Sequence, residues 1–258
     1  MQIRCADLAV SYSSGGRNID ALTGVTLDIA EGEFVSLVGP SGCGKTSLLR
    51  TFAGFVEPRS GTVTRSGDTG DGSIGVVMQE DSLFPWMTAM ENATFALEMA
   101  GVRRAAREDA AQPMLRRFGL AGRERAYPQD LSAGMKQRVA VARAFLSRAG
   151  LLLMDEPFGA LDAMTREKLQ RELLDEWTSS RRTVLFVTHD VEEAVLLGSR
   201  ILVMTPQPGT ICAVFDVPFA YPRSYELTLT SDFVSLKREI HALLGVRPVQ
   251  AGMTGTRG

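Results

Sequence analysis

The sequence predicts an α/β fold with a parallel central sheet, an antiparallel β region near the N-terminus and an inserted helical lobe. Three observations carry this prediction. A Gly-rich loop separates an apolar run, residues 33–38, from an apolar helical pattern, residues 47–53. Two further runs, residues 151–154 and 183–188, are apolar except for a threonine at each end of the second, which is typical of strands buried on both faces of a parallel sheet. Residues 89–147 shift to Ala, Met, Arg, Glu and Leu at helical spacing.

The composition limits the classes of function. The 258 residues carry a net charge of -2 with both signs interspersed, so no basic stripe indicates nucleic acid as a partner. Three cysteines, Cys5, Cys43 and Cys212, lie far apart without C-x-x-C spacing, as expected for free thiols in a reducing compartment. The N-terminus lacks a signal-peptide pattern, and no apolar run approaches the ~18 residues that span a bilayer. We therefore expect a soluble, cytoplasmic protein.

The Gly-rich loop, GPSGCGKTS, fits the pattern G-x-x-x-x-G-K-[ST] with a strand before it and a helix after it. Its glycines let successive backbone N–H groups face one point, Lys45 adds a mobile charge, and the helix adds the positive end of its dipole. The Thr46 hydroxyl suits Mg²⁺, which takes oxygen ligands. The predicted phosphate cradle consists of Gly39, Pro40, Ser41, Gly42, Cys43, Gly44, Lys45, Thr46 and Ser47.

Two buried strands end in polar side chains, where open α/β sheets bind ligands. Asp155 and Glu156 follow the first of these strands. Asp155 is placed to hold the Mg²⁺ shell, and Glu156 is placed to polarise a water for attack on a phosphoryl group. His189 follows the second strand and can donate a hydrogen bond to a terminal phosphate.

Ser132 and Tyr12 each have two interpretations. Ser132 in LSAGM is a natural N-cap, so the N–H groups that follow it form a second potential anion site, although capping alone also explains the serine. Tyr12 ends the first predicted strand and is either a sheet-edge residue or a platform for a nucleobase.

The segment after Gln79 is unusually apolar for a loop. Residues 83–88, LFPWMT, carry more aromatic and apolar bulk than an exposed loop usually tolerates. This segment either packs under the next helix or contacts another protein.

The remaining elements follow from alternation and turn signals. Pro113 should kink or restart the helix that contains it, because proline donates no N–H. Antiparallel strands are predicted at residues 3–10 and 21–29, joined by a loop at 13–16. Two further strands are predicted at 62–64 and 74–78, on either side of a loop at 66–73. The rest of the chain is predicted to form a helix at 191–197, a strand at 200–204, an edge strand at 211–217 and a disordered tail beyond 247.

In chain order, GPSGCGKTS, Gln79, LSAGM, LLLMDEP, residues 160–162 (ALD) and His189 resemble the motifs of ATP-binding cassette ATPases. The resemblance covers residues 3–217. It implies a P-loop NTPase (RecA-like) core, an antiparallel β subdomain and a helical subdomain inserted at about 89–147. The ATPase domain would span residues 1–217, and residues 218–258 would form a short, partly disordered extension.

The resemblance also implies residue roles. Tyr12 would stack on adenine, and residues 39–47 would wrap the phosphates, with Lys45 neutralising charge. Glu156 would be the general base and His189 would contact the γ-phosphate. Thr46, Gln79 and Asp155 would surround Mg²⁺. On a partner copy of a homodimer, the nucleotide would meet Ser132, Ala133, Gly134, Met135 and Asp162.

The longer segments around these motifs are similar to ATPase subunits of bacterial importers for nitrate, sulfonates and taurine. Such a subunit would lie peripherally on the cytoplasmic face of the cell membrane. It would contact permease subunits through residues 79–86 and a solute-binding protein only indirectly. Ala133 and Met135 depart from the family's usual LSGGQ. One alternative is an importer ATPase for another small solute. A second is a soluble cassette ATPase outside transport that acts on nucleic acid or ribosomes. A third, a regulatory nucleotide-binding module without catalysis, would lack Glu156 or Lys45, and both are present.

Overall fold

A computed structural model describes residues 1–14, 17–67, 74–79 and 83–245. The predicted loops at 13–16 and 66–73, the middle of the segment 79–86 and the tail beyond 247 lie wholly or partly outside these residues. The strands are β1 (Gln2–Ser14), β2 (Arg17–Ile29), β3 (Phe34–Val38), β4 (Ser60–Ser66), β5 (Ile74–Val77), β6 (Leu151–Asp155), β7 (Thr183–Val187), β8 (Arg200–Met204) and β9 (Ile211–Asp216). The helices are α1 (Lys45–Ala53), α2 (Ala89–Met99), α3 (Arg104–Arg117), α4 (Ala133–Leu146), α5 (Ala163–Ser180), α6 (Val191–Leu197) and α7 (Ser231–Leu243).

The central sheet has six strands in the order β5-β6-β7-β3-β8-β9. All neighbouring pairs are parallel except β8 and β9. β3, β6 and β7 are buried at every position. Along β6, Leu152 and Met154 pack toward the α-helical side of the sheet, whereas Leu151 and Leu153 pack toward α1 and the antiparallel sheet. Apolar cover on both faces explains the uninterrupted apolar runs, and the predicted α/β class is confirmed.

A separate three-stranded antiparallel sheet has the order β2-β1-β4. Its registers include Ile3 opposite Ile29 and Arg4 opposite Thr64. The buried side chains of this sheet pack in one cluster with α1, around Phe52. The sheet therefore lies next to the start of α1, where the Gly-rich loop ends.

Helices α2, α3 and α4 lie between β5 and β6 in the chain and pack together as a helical lobe, and their assignment to an inserted subdomain at about 89–147 stays a prediction. Thr88 and Glu91 make a capping box that starts α2, and Ser132 caps α4 as predicted. The predicted restart at Pro113 is wrong, because α3 runs through it without interruption. Ala111 and Leu115, on either side of the proline, are fully buried. Their packing holds both halves of the helix in place despite the missing N–H donor.

Residues 218–245 continue the fold beyond β9. A 3₁₀ helix, Tyr225–Leu229, precedes α7, and Phe233 and Ile240 of α7 are buried against α6. The division between an ATPase domain at 1–217 and an extension at 218–258 stays a prediction. Among the described residues, no helix combines the length and apolar character needed to cross a bilayer.

Candidate active site

A cleft of 460 Å³ opens where the antiparallel sheet, the Gly-rich loop and the carboxyl ends of the central strands meet. Most of the side chains that sequence patterns single out lie around it. Its lining consists of Tyr12, Ala21, Ser41, Gly42, Cys43, Gly44, Lys45, Thr46, Ser47, Gln79, Glu156, His189 and Gln207.

The loop geometry requires glycine at two positions. Gly42 and Gly44 have φ angles of 76° and 100°, in the left-handed region that favours glycine. A Cβ at Gly44 would lie 2.7 Å from the carbonyl oxygen of Ala21. Gly44 is also the N-cap of α1 and supplies no side-chain hydrogen bond, so the first N–H groups of α1 are available to an anion.

Lys45 is buried within the loop. Its Nζ donates hydrogen bonds to the carbonyl oxygens of Gly39, at 2.8 Å, and Pro40, at 3.0 Å. Nζ also lies 3.8 Å from Cys43 Sγ. Burial raises the pKa of the Cys43 thiol above its ordinary value, and the nearby Lys45 charge only partly opposes this. Cys43 is therefore a neutral side chain that fills space in the loop.

Asp155 has the properties of a Mg²⁺ ligand. The residue is 1 % exposed, and its Oδ2 atom has no hydrogen-bond partner. Burial raises the pKa of this carboxyl, while a hydrogen bond with Thr46 partly lowers it. A buried carboxylate oxygen without a partner, beside the Thr46 hydroxyl, suits a hard cation that keeps several waters. Asp155 and Thr46 therefore fit the predicted Mg²⁺ set, and Gln79, its third member, lines the same cleft as Thr46.

Glu156 projects into the cleft from the end of β6. Its φ of 46° is left-handed, which costs a non-glycine residue on the order of 1–3 kcal/mol and is often found at functional sites. The backbone N–H of Glu156 donates to the carbonyl of Val187 at 2.9 Å, which holds the turn. Gln79 Nε2 donates to Glu156 Oε2 at 3.1 Å, and His189 Nδ1 lies 3.1 Å from the same oxygen. The structure therefore brings two predicted site residues, Gln79 and His189, into contact with a third, Glu156.

Tyr12 lies at the rim of the cleft. Its hydroxyl donates a hydrogen bond to Ser47 Oγ at 3.2 Å, and the side chain is 38 % exposed. An exposed ring tethered to the residue after Thr46 favours the nucleobase platform over a purely structural edge residue.

Ser132 and Asp162 lie outside the lining of the cleft. Ser132 Oγ accepts a hydrogen bond from Met135 N at 3.3 Å, and Asp162 Oδ1 accepts one from Thr165 N at 3.0 Å, so each residue caps a helix. A Cβ at Gly134 would lie 2.8 Å from Leu161 Cδ2, so the two cap segments pack together. We call residues 132–135 and 160–162 the cap face; none of them lines the cleft.

The two departures from LSGGQ have local explanations. α4 begins at Ala133, so this position has helical dihedral angles and alanine suits it better than glycine. Met135 is half-buried and packs against the core of the helical lobe.

The family follows from comparison with known proteins. A family model described as "ABC transporter" matches residues 22–159. The chain belongs to the ABC transporter family. The taurine import ATP-binding protein TauB of Mesorhizobium japonicum is 48% identical over 216 residues, which cover 82% of this chain and 83% of that protein. An ATP-binding protein of Brucella abortus is 45% identical over 233 residues, or 88% of this chain and 89% of its own length.

A solved structure of the ATP-binding cassette MJ0796, a dimer in a post-hydrolysis state bound to ADP and Pi, aligns with a TM-score of 0.74. It is 31% identical and covers 84% of this chain and 100% of that chain. The predicted resemblance to the family and the predicted fold are both confirmed.

Sequence reasoning missed two cleft residues of this ABC family member, Ala21 and Gln207. Gln207 Nε2 donates to the carbonyl of Asp20 at 3.1 Å and so bridges the loop after β8 to the antiparallel sheet. The loop reaches the cleft because β8 pairs with β3, the strand that precedes the Gly-rich loop. Strand order of this kind leaves no local signal in the sequence.

Proposed function

We propose that this chain is the ATP-hydrolysing subunit of an importer, and that it works as a homodimer on membrane permease subunits. One observation carries the proposal: residues 41–47 of the phosphate loop and the Glu156 side chain line the same cleft. The relatives named for taurine import favour taurine or another sulfonate as the solute, with nitrate next. The alternative is another small solute, since the ATPase subunit is not the part that selects it.

The proposed reaction is in-line attack of water on the terminal phosphate of ATP. Glu156 accepts the proton of the attacking water, while Lys45 and the N-terminus of α1 neutralise phosphate charge. His189, which contacts Glu156 at 3.1 Å, would turn its imidazole toward the terminal phosphate. Mg²⁺, held by Thr46, Gln79 and Asp155, would supply charge neutralisation at the phosphate oxygens.

A dimer would give the cap face a function. Ser132 begins a helix outside the lining of its own cleft, and a second copy would bring this helix start to the nucleotide. The dimeric form of the MJ0796 cassette supports this arrangement.

The contact with the permease is proposed at residues 79–86 and the neighbouring groove. The Trp86 side chain is 69 % exposed, and its ring lies 5.5 Å from that of Phe84. A groove of 660 Å³ begins at Thr88 and contains the charged side chains of Arg104 and Glu124. An exposed Trp86 ring, packed on the half-buried Phe84 beside a charged groove, suits a helix or loop of another protein. This contact would place the chain on the cytoplasmic face of the membrane.

Two measurements test this function. The purified chain should hydrolyse ATP in the presence of Mg²⁺, and co-expression with its permease and solute-binding protein should give ATP-dependent taurine uptake into vesicles. Uptake of a different solute instead of taurine would show that the chain serves an importer for another small solute. A protein that hydrolyses no ATP, alone or with the permease, would refute the proposal.

A further inference from the structure

The strand end that carries His189 is held by a buried glutamate. Glu193, in the first turn of α6, is only 7 % exposed. Its Oε2 accepts a hydrogen bond from Thr188 Oγ1 at 2.6 Å, and its Oε1 accepts one from Gln170 Nε2 at 3.1 Å. Thr188 Oγ1 in turn accepts from the backbone N–H of Asp190 at 3.0 Å. The residues on both sides of His189 are therefore fixed through Glu193.

Burial of this glutamate has a cost. Loss of solvation raises the pKa of Glu193, so its ionised form is disfavoured in this environment. A buried carboxylate is retained only where hydrogen bonds and an opposite charge offset the lost solvation. The nearest cation is Arg166 of α5, whose Nε lies 3.8 Å from Glu193 Oε1.

Arg166 also reaches the cap face. One of its terminal nitrogens donates to the carbonyl of Leu161 at 3.1 Å, next to Asp162. The other lies 3.9 Å from Asp190 Oδ2. The guanidinium is planar and rigid, so a displacement at the Leu161 carbonyl moves all three nitrogens together.

The contacts of Arg166 with the carboxylates are incomplete. Distances of 3.8 and 3.9 Å exceed hydrogen-bond length, and the buried Nε has no hydrogen-bond partner. A shift of about 1 Å would convert both ion pairs into charge-assisted hydrogen bonds, which are short and strong. The guanidinium therefore has a looser and a tighter arrangement available.

We propose that Arg166 is a positioning residue that couples the 160–162 segment of the cap face to the position of the His189 imidazole. The inference rests on the proposed function, in which a second copy presses on the cap face and His189 meets the terminal phosphate. Contact at Asp162 would then move the Leu161 carbonyl, tighten Arg166 onto Asp190 and Glu193, and set His189 for hydrolysis.

Histidine NMR tests the coupling without depending on ATPase activity. The chain has 2 histidines, His189 and His241, so each imidazole gives a resolved signal and His241 serves as the internal reference. Asp162→Ala removes the cap of α5 and displaces the 160–162 segment. This change should shift the His189 signal by more than its line width when Arg166 is present, and should leave it unmoved when Arg166→Met is also present.

Steady-state kinetics give the functional readout. Arg166→Met should lower kcat about 5- to 150-fold, the usual range for coupling between two sites, with KM for ATP and the unfolding temperature unchanged. The kcat of Arg166→Lys should also stay below that of the wild type, because one ammonium group cannot contact three acceptors at once. Arg171→Met is the matched control: Arg171 lies on the same helix, is 63 % exposed and pairs only loosely with Glu167 at 3.4 Å, so kcat should equal that of the wild type.

The inference is wrong if Asp162→Ala shifts the His189 signal equally with and without Arg166, or if Arg166→Met turns over at the wild-type rate. It is also wrong if Arg166→Met lowers ATP affinity and unfolding temperature along with kcat, since the arginine would then be a general structural residue. A wild-type chain without ATPase activity would overturn the proposed function, whereas the NMR comparison would still decide the coupling.

Discussion

His189 Nδ1 lies 3.1 Å from Glu156 Oε2, so the second residue after β7 contacts the first residue after β6. Gln79, after β5, donates to the same oxygen. Three adjacent parallel strands therefore converge on one carboxylate at the edge of the cleft. In the proposed mechanism, the other carboxylate oxygen of Glu156 would accept the proton of the attacking water.

Glu156→Gln tests the general base. Glutamine keeps the size of the side chain but cannot accept a proton from water, so phosphate release should fall about 10²- to 10⁴-fold while ATP affinity stays unchanged. The ATP-bound dimer should accumulate and appear by size-exclusion chromatography. Glu57→Gln changes an exposed carboxylate that is distant from Glu156 in the sequence, and serves as the control. Normal turnover in Glu156→Gln would refute the assignment.

Asp155→Asn tests the cation site through stability. Burial raises the pKa of Asp155 in the folded protein above the ordinary carboxyl value of about 3.9. The contribution of this carboxyl to the free energy of unfolding is therefore largest below a pH of about 3.9, and it is lost as the pH rises through the folded-state pKa. Asparagine does not ionise and avoids this loss. Without nucleotide, urea unfolding at about pH 8 should therefore give Asp155→Asn a higher free energy of unfolding than the wild type, and this difference should vanish near about pH 4.

Mg²⁺ with ATP should make the wild type more stable to unfolding than Asp155→Asn. Adding Mg²⁺ with ATP should stabilise the wild type further, by mass action, and should stabilise Asp155→Asn much less. Equal stabilisation of both proteins by Mg²⁺ and ATP would show that Asp155 does not hold the cation.

Tyr12→Ala tests the nucleobase platform. Stacking of a base on an aromatic ring is worth about 1–3 kcal/mol, so ATP affinity should fall roughly 5- to 150-fold. Tyr12→Phe keeps the ring and removes only the hydrogen bond to Ser47, so it should bind ATP nearly as well as the wild type. Fluorescence titration with a labelled ATP analogue measures both. The stacking assignment fails if alanine and phenylalanine bind equally tightly.

Trp86→Ala tests the permease surface. Since the Trp86 side chain is 69 % exposed, its removal should change the unfolding temperature and the ATPase rate of the isolated chain little. Co-purification with the permease and solute uptake should both decline. Phe55→Ala, which removes an aromatic side chain that is 64 % exposed, is the control and should leave assembly intact. Unchanged transport and assembly in Trp86→Ala would mean that the surface has no role in docking.

Much of the fold and of the cleft is predictable from local pattern. The Gly-rich loop is a complete motif, and β6 and β7 carry their apolar residues without interruption because both faces of the sheet are covered. Ser132 was predictable as a cap because its side chain acts on the next turn of its own helix.

Features that depend on tertiary neighbours were not predictable. Gln207 reaches the cleft only through the pairing of β8 with β3, and Glu193 is buried only because α5 packs beside α6. Arg223 of the C-terminal segment donates to the last carbonyls of α6, Val195 and Leu196 among them, and no spacing in the sequence indicates this contact. Pro113 shows the same limit, since packing on both sides keeps α3 continuous.

In the proposed homodimer, one copy contains only half of each site, with the cleft on one chain and the cap face on the other. The ATPase rate per molecule, measured as purified protein is diluted through the range in which a dimer dissociates, tests this division. We expect the rate to fall with dilution and a Ser132→Arg variant to be inactive at every concentration. A constant rate at the highest dilution, unaffected by Ser132→Arg, would contradict it.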